Sequence, residues 1–483
     1  MTAISEPRPG TRPALPILPT PIELDAKAPD HGPQPRGRDL LRIPLVKQIA
    51  QSRYYPQVLQ IPAAAIFGLI AFQLLAGPDS AHENAGTAWM WILWWPLLPV
   101  VFVLFGRVWC TVCPFGWISD MVQKLTGANR PVPEFLKKYG IWIIDAWFIA
   151  ITWADHVFGI VESPWGSGML LLVMTTAVIV SGAFFARRTF CRYLCFLGGL
   201  SGNYARTGAV AVRANTDICA TCDAKAACFN GTDSTGPCPL FTFPRTMDSN
   251  AACNLCAECV KSCPNDAITL TVRKPTSELW FVRKPKVEES FLAMAIMGIV
   301  LIQNLTMLQV WNQGLGVLES ATGITDKAMI FTPTFAAAIV LPVAVLALAA
   351  WTASRRNPES VGQNFARFGY ALIPLDVAAH LGHNLFHLLG EGGAVVATTA
   401  ALFGIRTSSG STALLPLPVI QALQFGLLAI GIGASAYAVW RIARKRYQAP
   451  RNLRWTLVPF GAVVAVIALV NIGMFMLPMA HRM

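Results

Sequence analysis

Cys253-Asn254-Leu255-Cys256-Ala257-Glu258-Cys259-Val260-Lys261-Ser262-Cys263-Pro264 decides how this chain is read. Its spacing, C-x2-C-x2-C-x3-C-P, wraps three thiolates around one small centre and sends the fourth to another, the pattern that holds [4Fe–4S] clusters. Zinc ribbons also use C-x2-C pairs, but four cysteines at these gaps before a proline do not fit that pattern. Upstream, Cys219, Cys222, Cys228 and Cys238, followed by Pro239, form a stretched copy of the run. In two-cluster arrays the cysteine before proline ligates the other cluster. One cluster is therefore expected on Cys219, Cys222, Cys228 and Cys263, and a second on Cys253, Cys256, Cys259 and Cys238.

Outward from this array the chain turns apolar. Of its 483 residues 54% are hydrophobic and 13% charged, a departure from soluble composition. A membrane-crossing helix needs about 20 mostly apolar residues. Nine candidate spans satisfy this: 57–77, 88–106, 139–160, 167–186, 290–311, 329–351, 366–390, 416–440 and 455–479. The expected class is mainly α: a polytopic membrane protein of about nine helices carrying an inserted two-cluster, ferredoxin-like α+β domain. Four units follow. Residues 1–56 are a Pro- and Arg-rich tail ending in a basic amphipathic stretch (36–53), read as able to lie on the membrane and not as a cleavable leader. Residues 57–186 are a four-helix core, 187–289 the cysteine-rich domain, and 290–483 a five-helix domain without cysteine.

The net charge of +12 follows membrane topology and not nucleic-acid binding. Arg107, Lys124, Arg130, Lys137 and Lys138 follow the second span; Arg187, Arg188 and Arg192 the fourth; Arg355 and Arg356 the sixth; Arg441, Arg444, Lys445 and Arg446 the eighth. The intervening loops are poor in Lys and Arg. By the positive-inside rule the N-terminus and all twelve cysteines are cytoplasmic, and the C-terminus, with His481, is periplasmic. A reducing compartment also argues against disulfides. The expected location is a bacterial inner membrane, with lipid as a partner and no nucleic acid.

Four cysteines lie apart from the array. Trp109-Cys110-Thr111-Val112-Cys113-Pro114-Phe115-Gly116 follows the second span, and Phe190-Cys191-Arg192-Tyr193-Leu194-Cys195-Phe196-Leu197-Gly198 the fourth. Equivalent positions make the first four helices two repeated hairpins. Cys110, Cys113, Cys191 and Cys195 are candidates for a further cluster, for copper or zinc, or for redox-active thiols; the plainer reading is inert thiols at helix ends.

These motifs, on a four-helix core followed by cluster cysteines, resemble the NapH/NosR/CcoG group of membrane polyferredoxins over about 57–285. The segment Asn265–Leu270 likewise resembles the "P-x-x-A-I" return strand of ferredoxins. The sequence departs from the group at Phe196, where proline is usual, and at the Cys110/Cys113 gap, where three residues are commoner. The resemblance implies relay of electrons to a periplasmic reductase, or reduction of copper during oxidase assembly. It says nothing of the last five helices.

There a second pattern stands out. Asp376, His380, His383 and His387 fall within roughly 60° on one face of the seventh span. Ionisable groups in a bilayer are costly and mark proton, ion or cofactor sites. They are candidate catalytic residues, for a quinone site with proton transfer or for an intramembrane metal. A haem ranks lower, because bis-histidine ligation takes two helices and His156 lies at the outer end of another span. The plainer reading is hydrogen bonding between helices.

Weaker signals carry less. Ser409-Gly410-Ser411-Thr412 faintly resembles a flavin-attachment segment but reads better as a Ser-rich loop. Gly431-Ile432-Gly433 reads as close helix packing, and the tryptophans around 89–117 as interface anchors. The expected function is electron transfer through [4Fe–4S] clusters, between a quinone pool or intramembrane cofactor and a periplasmic or membrane-bound redox partner. Two alternatives stand beside it: a copper-handling reductase or maturation factor, and a redox-sensing regulatory protein.

Overall fold

The computed structural model describes residues 37–478, apart from 225, 226, 281, 283, 406–411 and 448. The flavin-like residues Ser409 to Ser411, and His481, lie outside the described residues. Among those described, eight helices are long and apolar enough to cross a membrane. They are α2 (Gln57–Ala76), α3 (Ala85–Phe105), α4 (Glu134–Phe158), α5 (Pro164–Phe184), α7 (Val287–Thr306), α8 (Lys327–Ser354), α10 (Leu417–Arg446) and α11 (Pro450–Met476). The chain is thus a multi-pass membrane protein.

The expected seventh span differs. It is α9, Val361–Gly390, a 30-residue helix about 45 Å long, but it is not apolar enough to join the eight. Its surroundings explain this. Nineteen of its residues are buried, whereas lipid-facing α2 buries only Gln60 and Leu74. α7, α8 and α10 pack around it, so its side chains meet protein and not lipid, and the composition is free to be polar. Gly431 allows a close approach of α10: a Cβ there would stand 2.4 Å from that of Ala378 and 3.0 Å from the Pro374 carbonyl oxygen. The close-packing reading of that glycine holds.

The cysteine-rich domain is built on a small antiparallel sheet ordered β1-β3-β2. Strand β2 (Val210–Ala214) enters the array and β3 (Ile268–Val272) leaves it, paired from Val210↔Val272 to Ala214↔Ile268. β3 is the return strand expected after Cys263. β1 (Arg38–Asp39) pairs on the other edge of β3, so the described part of the basic amphipathic stretch docks on the cluster domain, while Ile43, Leu45 and Ile49 stay exposed. Leu41 and Ala50, the latter in helix α1 (Pro44–Gln51), join a core of Val212, Ala214, Met247, Val260 and Ile268. Lys47 pairs with Asp266 at 3.1 Å, and the Tyr55 hydroxyl donates to the Leu255 carbonyl at 2.9 Å.

The tryptophans also make contacts between helices. The N-terminal part of α3, Ala88–Trp94, is wound as a π-helix, a device for placing side chains at functional sites. Trp91, Trp94, Trp95 and Trp109 turn toward the core. The Trp91 and Trp89 indole N–H groups donate to Ser167 (2.9 Å) and Thr399 (2.7 Å). These rings pack helices together.

Candidate functional site

The cysteines are set by turns whose conformation repeats. Cys238-Pro239 and Cys263-Pro264 each lead to a left-handed residue, Phe241 (φ 56°) and Asp266 (φ 46°). The next amide then donates back to sulfur: Thr242 N to Cys238 Sγ and Ala267 N to Cys263 Sγ, both 3.3 Å. Leu255 and Ala257 are also left-handed, which curls the C-x2-C-x2-C loop and points the amides of Leu255 and Glu258 at Cys253 and Cys256. The membrane-edge motifs share this logic. Cys113 and Cys195 each cap a short helix, Pro114–Thr126 and α6 (Phe196–Tyr204). Amides of Phe115 and Gly116 serve Cys113, and that of Gly198 serves Cys195.

Three sets of four cysteines emerge. Cys219, Cys222, Cys228 and Cys263 line one pocket. Cys253, Cys256 and Cys259 each have the sulfur of Cys238 as an electrostatic neighbour. Cys110, Cys113, Cys191 and Cys195 are likewise mutual neighbours. Burial pushes the Cys113 thiol up to about 12 and Cys191 to about 11. In the array, burial raises Cys253 to about 11 and Cys256 and Cys228 to about 12. Thiols so placed keep their protons until a positive centre displaces them.

This donor set fits iron–sulfur clusters. Sulfurs come in fours, backbone N–H groups are aimed at them, and cations stand nearby, the features that favour bound thiolate and tune its potential. Among the described residues no three His, Cys, Asp or Glu side chains converge closely enough for a single metal ion. The copper and zinc readings gain nothing here, since a cluster spreads its four thiolates around a cube and one ion gathers them.

The sets form a series. Cys228 neighbours Cys259, linking the first to the second. Arg107 acts electrostatically on both Cys253 and Cys191, and Arg188 on Cys256 and Cys191, linking the second to the third. Both arginines are buried. Arg188 donates to Asp120 at 2.6 Å and to the Cys110 carbonyl at 3.3 Å; Arg107 donates to the Ala251 carbonyl. Sequence reading took these arginines only as topology markers. The missed signal was their register: each stands three residues before the first cysteine of its hairpin.

On α9, Asp376 is fully buried and neither carboxylate oxygen has a hydrogen bond of full geometry. The Tyr204 hydroxyl neighbours it and lies 2.9 Å from His380 Nδ1. His383 Nδ1 is 3.1 Å from Asn304 Oδ1, and His387 Nδ1 is 3.1 Å from Glu391 Oε2. The histidines thus share one face, as expected, yet each engages a different partner. Tyr204, Asn304 and Glu391 carried no sequence signal, being single polar residues in unremarked segments. His156 stays apart, bonded to the Thr152 carbonyl at 2.9 Å and stacked on Phe331.

A family model described as a 4Fe-4S binding domain matches the chain twice, at residues 87–133 and 167–213. Each match contains one membrane-edge cysteine pair, and the residues of the 219–263 array lie outside both. The chain is 24% identical over 203 residues to the putative electron transport protein YccM of Escherichia coli (strain K12), covering 37% of this chain and 55% of that one. It therefore spans about half the length of this curated relative. No solved structure matches. The doubled match supports iron–sulfur clusters and falls on the two hairpins that the sequence pairs as repeats.

Proposed function

We propose that the chain conducts electrons along three [4Fe–4S] clusters in a bacterial inner membrane. Cys219, Cys222, Cys228 and Cys263 hold the first, Cys238, Cys253, Cys256 and Cys259 the second, and Cys110, Cys113, Cys191 and Cys195 the third. When bound, such clusters take up and give back single electrons. The observation that carries this reading is the serial order of the three cysteine sets, running from the sheet domain to the ends of the membrane hairpins. The doubled 4Fe-4S match and the relative's electron-transport name support it.

The residues around the clusters exclude water and fix charge. Arg107 and Arg188 offset thiolate charge between the second and third sets, and Asp120 orients Arg188. Beyond the third set, α6 runs nine residues from Cys195 to Tyr204, about 13 Å, and meets the buried groups of α9. The quinone pool or an intramembrane cofactor is the reading for that end, with a periplasmic or membrane-bound protein as the exchange partner. The N-terminus and sheet domain are cytoplasmic and the C-terminus periplasmic.

Electron paramagnetic resonance of the anaerobically purified protein, with iron and sulfide analysis, tests this. Three reducible clusters are expected, with quinol reducing them only while His380 is intact. A preparation without clusters sinks the reading. Clusters that ignore quinol while copper co-purifies and is lost in His380→Ala favour metal handling.

A further inference from the structure

Exposure along α9 is graded. Glu391 and His387 are half-buried, His383 is 6% exposed, His380 2% and Asp376 0%. The exposed end of this file lies on the face away from the cysteine domain. There a small pocket reaches His383 between Asn304, Gln421, Gln424, Phe386 and Met474. Toward the cysteine side the path closes: Phe368, Leu372, Ile373 and Leu375 are each no more than 1% exposed.

We propose that these groups form a proton half-channel, open on the distal face and ending at Asp376. Protons pass from Glu391 to His387, whose ring centroid is 5.1 Å from that of His383, and then through His383 and His380 to the carboxylate. His387 takes a proton at Nδ1, which faces Glu391, and releases one from Nε2. His383, with Nδ1 held on Asn304, takes and releases it at Nε2. His380 takes it at Nε2 and releases one from Nδ1 to the Tyr204 hydroxyl, which gives its own to Asp376. The net result is one proton moved from distal water to Asp376, with no other bond changed. Asn304 Nδ2, buried and unpartnered beside the path, holds His383 through its other amide atom and keeps a donor free toward the pocket. A chain of acid and imidazole groups enclosed by helices is the usual construction of an intramembrane relay.

Among the described residues, neighbouring helices do not supply competing charge beside the file. Facing the file are Tyr204 from α6, Trp95 from α3, Asn304 from α7 and Gln424 from α10. The acidic and basic residues of α7, α8, α10 and α11 (Glu288, Glu289, Lys327, Arg441 to Arg446, Arg451 and Arg454) stand in terminal turns, away from Asp376. A carboxylate isolated in this way is a proton acceptor and not half of an ion pair. The inference deepens the electron-transfer reading and rests on it only for its purpose, since a proton on Asp376 offsets negative charge added at the nearby membrane edge.

Infrared spectroscopy of the full-length protein in proteoliposomes tests it. The C=O band of a protonated carboxyl should be lost in Asp376→Asn. In the wild type its shift on transfer to D2O should slow several-fold in Glu391→Gln and in His383→Phe. Glu391 is half-buried at a helix end, so Glu391→Gln keeps the test open where a core variant fails to fold. A spectrum unchanged by Asp376→Asn, or exchange unaltered in the correctly folded Glu391→Gln and His383→Phe proteins, overturns the proposal. Cluster signals recorded on the same samples separate the outcomes: missing clusters defeat the electron-transfer reading, and normal clusters with unaltered exchange defeat the half-channel alone.

Discussion

The Tyr204 hydroxyl stands 2.9 Å from Nδ1 of His380, and this bond joins the helix that starts at Cys195 to the middle of α9. With the Tyr204–Asp376 contact, it ties the membrane-edge cysteine region to the buried groups of the five-helix domain. Interhelical hydrogen bonds in membranes contribute about 0.6–1.7 kcal/mol. Tyr204→Phe should therefore lower stability modestly and leave the fold intact. A double-mutant cycle with His380→Phe, read by thermal unfolding in detergent, should give a coupling in that range. Additive effects would show that the pair does not interact.

The exchange of cysteines between the two runs has a spectroscopic signature. If each cysteine before proline serves the other run, Cys263→Ala and Cys219→Ala should remove the same resonance. Cys238→Ala and Cys253→Ala should remove the other. The structure favours this pairing, because Cys263 lines the pocket of Cys219, Cys222 and Cys228. Resonances lost by run, Cys263 with Cys253, would contradict it.

The membrane-edge set makes a separate expectation. Cys113→Ala or Cys195→Ala should lower iron content by about a third, one cluster in three, and spare both resonances of the sheet domain. The Arg188–Asp120 pair, with its guanidinium buried and its carboxylate partly exposed, supports the same site. Asp120→Asn leaves the buried Arg188 without its counter-charge and should loosen the site. The lost iron should again come from the third set. Unaltered iron in all three variants would return these cysteines to the inert reading.

Much of this was legible in the sequence because it rests on spacing. Cysteine gaps gave the array, the repeated hairpins and the return strand, and hydropathy marked nine spans, eight of which are long and apolar enough to cross a membrane. What spacing cannot report is which side of a helix meets protein. α9 fell short as an apolar span because α7, α8 and α10 take the place of lipid around it, and the polar groups that lower its hydropathy are those that matter. The docking of residues 38–51 on the sheet was not legible for a related reason. An amphipathic stretch has the same pattern against a sheet as against a bilayer, and only the pairing of Arg38 with Val272 reveals the sheet contact. Arg107 and Arg188 look like ordinary flanking charges until both are found buried beside sulfur.

Glu278 supports the last expectation, which concerns how the cluster domain is fastened. Its carboxylate is buried and bonded to Arg273, to Arg213 at 3.1 Å and to the Asn250 amide at 3.0 Å. These groups belong to β2, to the segment after β3, and to the loop that enters Cys253. Burial alone would raise its pKa, but Arg273, Arg213 and Arg206 outweigh burial and hold it below the ordinary 4.5. A lowered folded-state pKa means that the stabilisation is fully present above 4.5 and is lost as pH falls through the lower, folded value. Glu278→Gln removes the charge at nearly constant volume and leaves two buried guanidiniums unpaired. It should destabilise the domain by about 3–5 kcal/mol at neutral pH, seen as earlier loss of cluster absorbance in a urea titration. In acid, where the wild-type carboxylate is also protonated, the two proteins should converge. A difference that persists below the folded pKa would assign the loss to packing rather than charge.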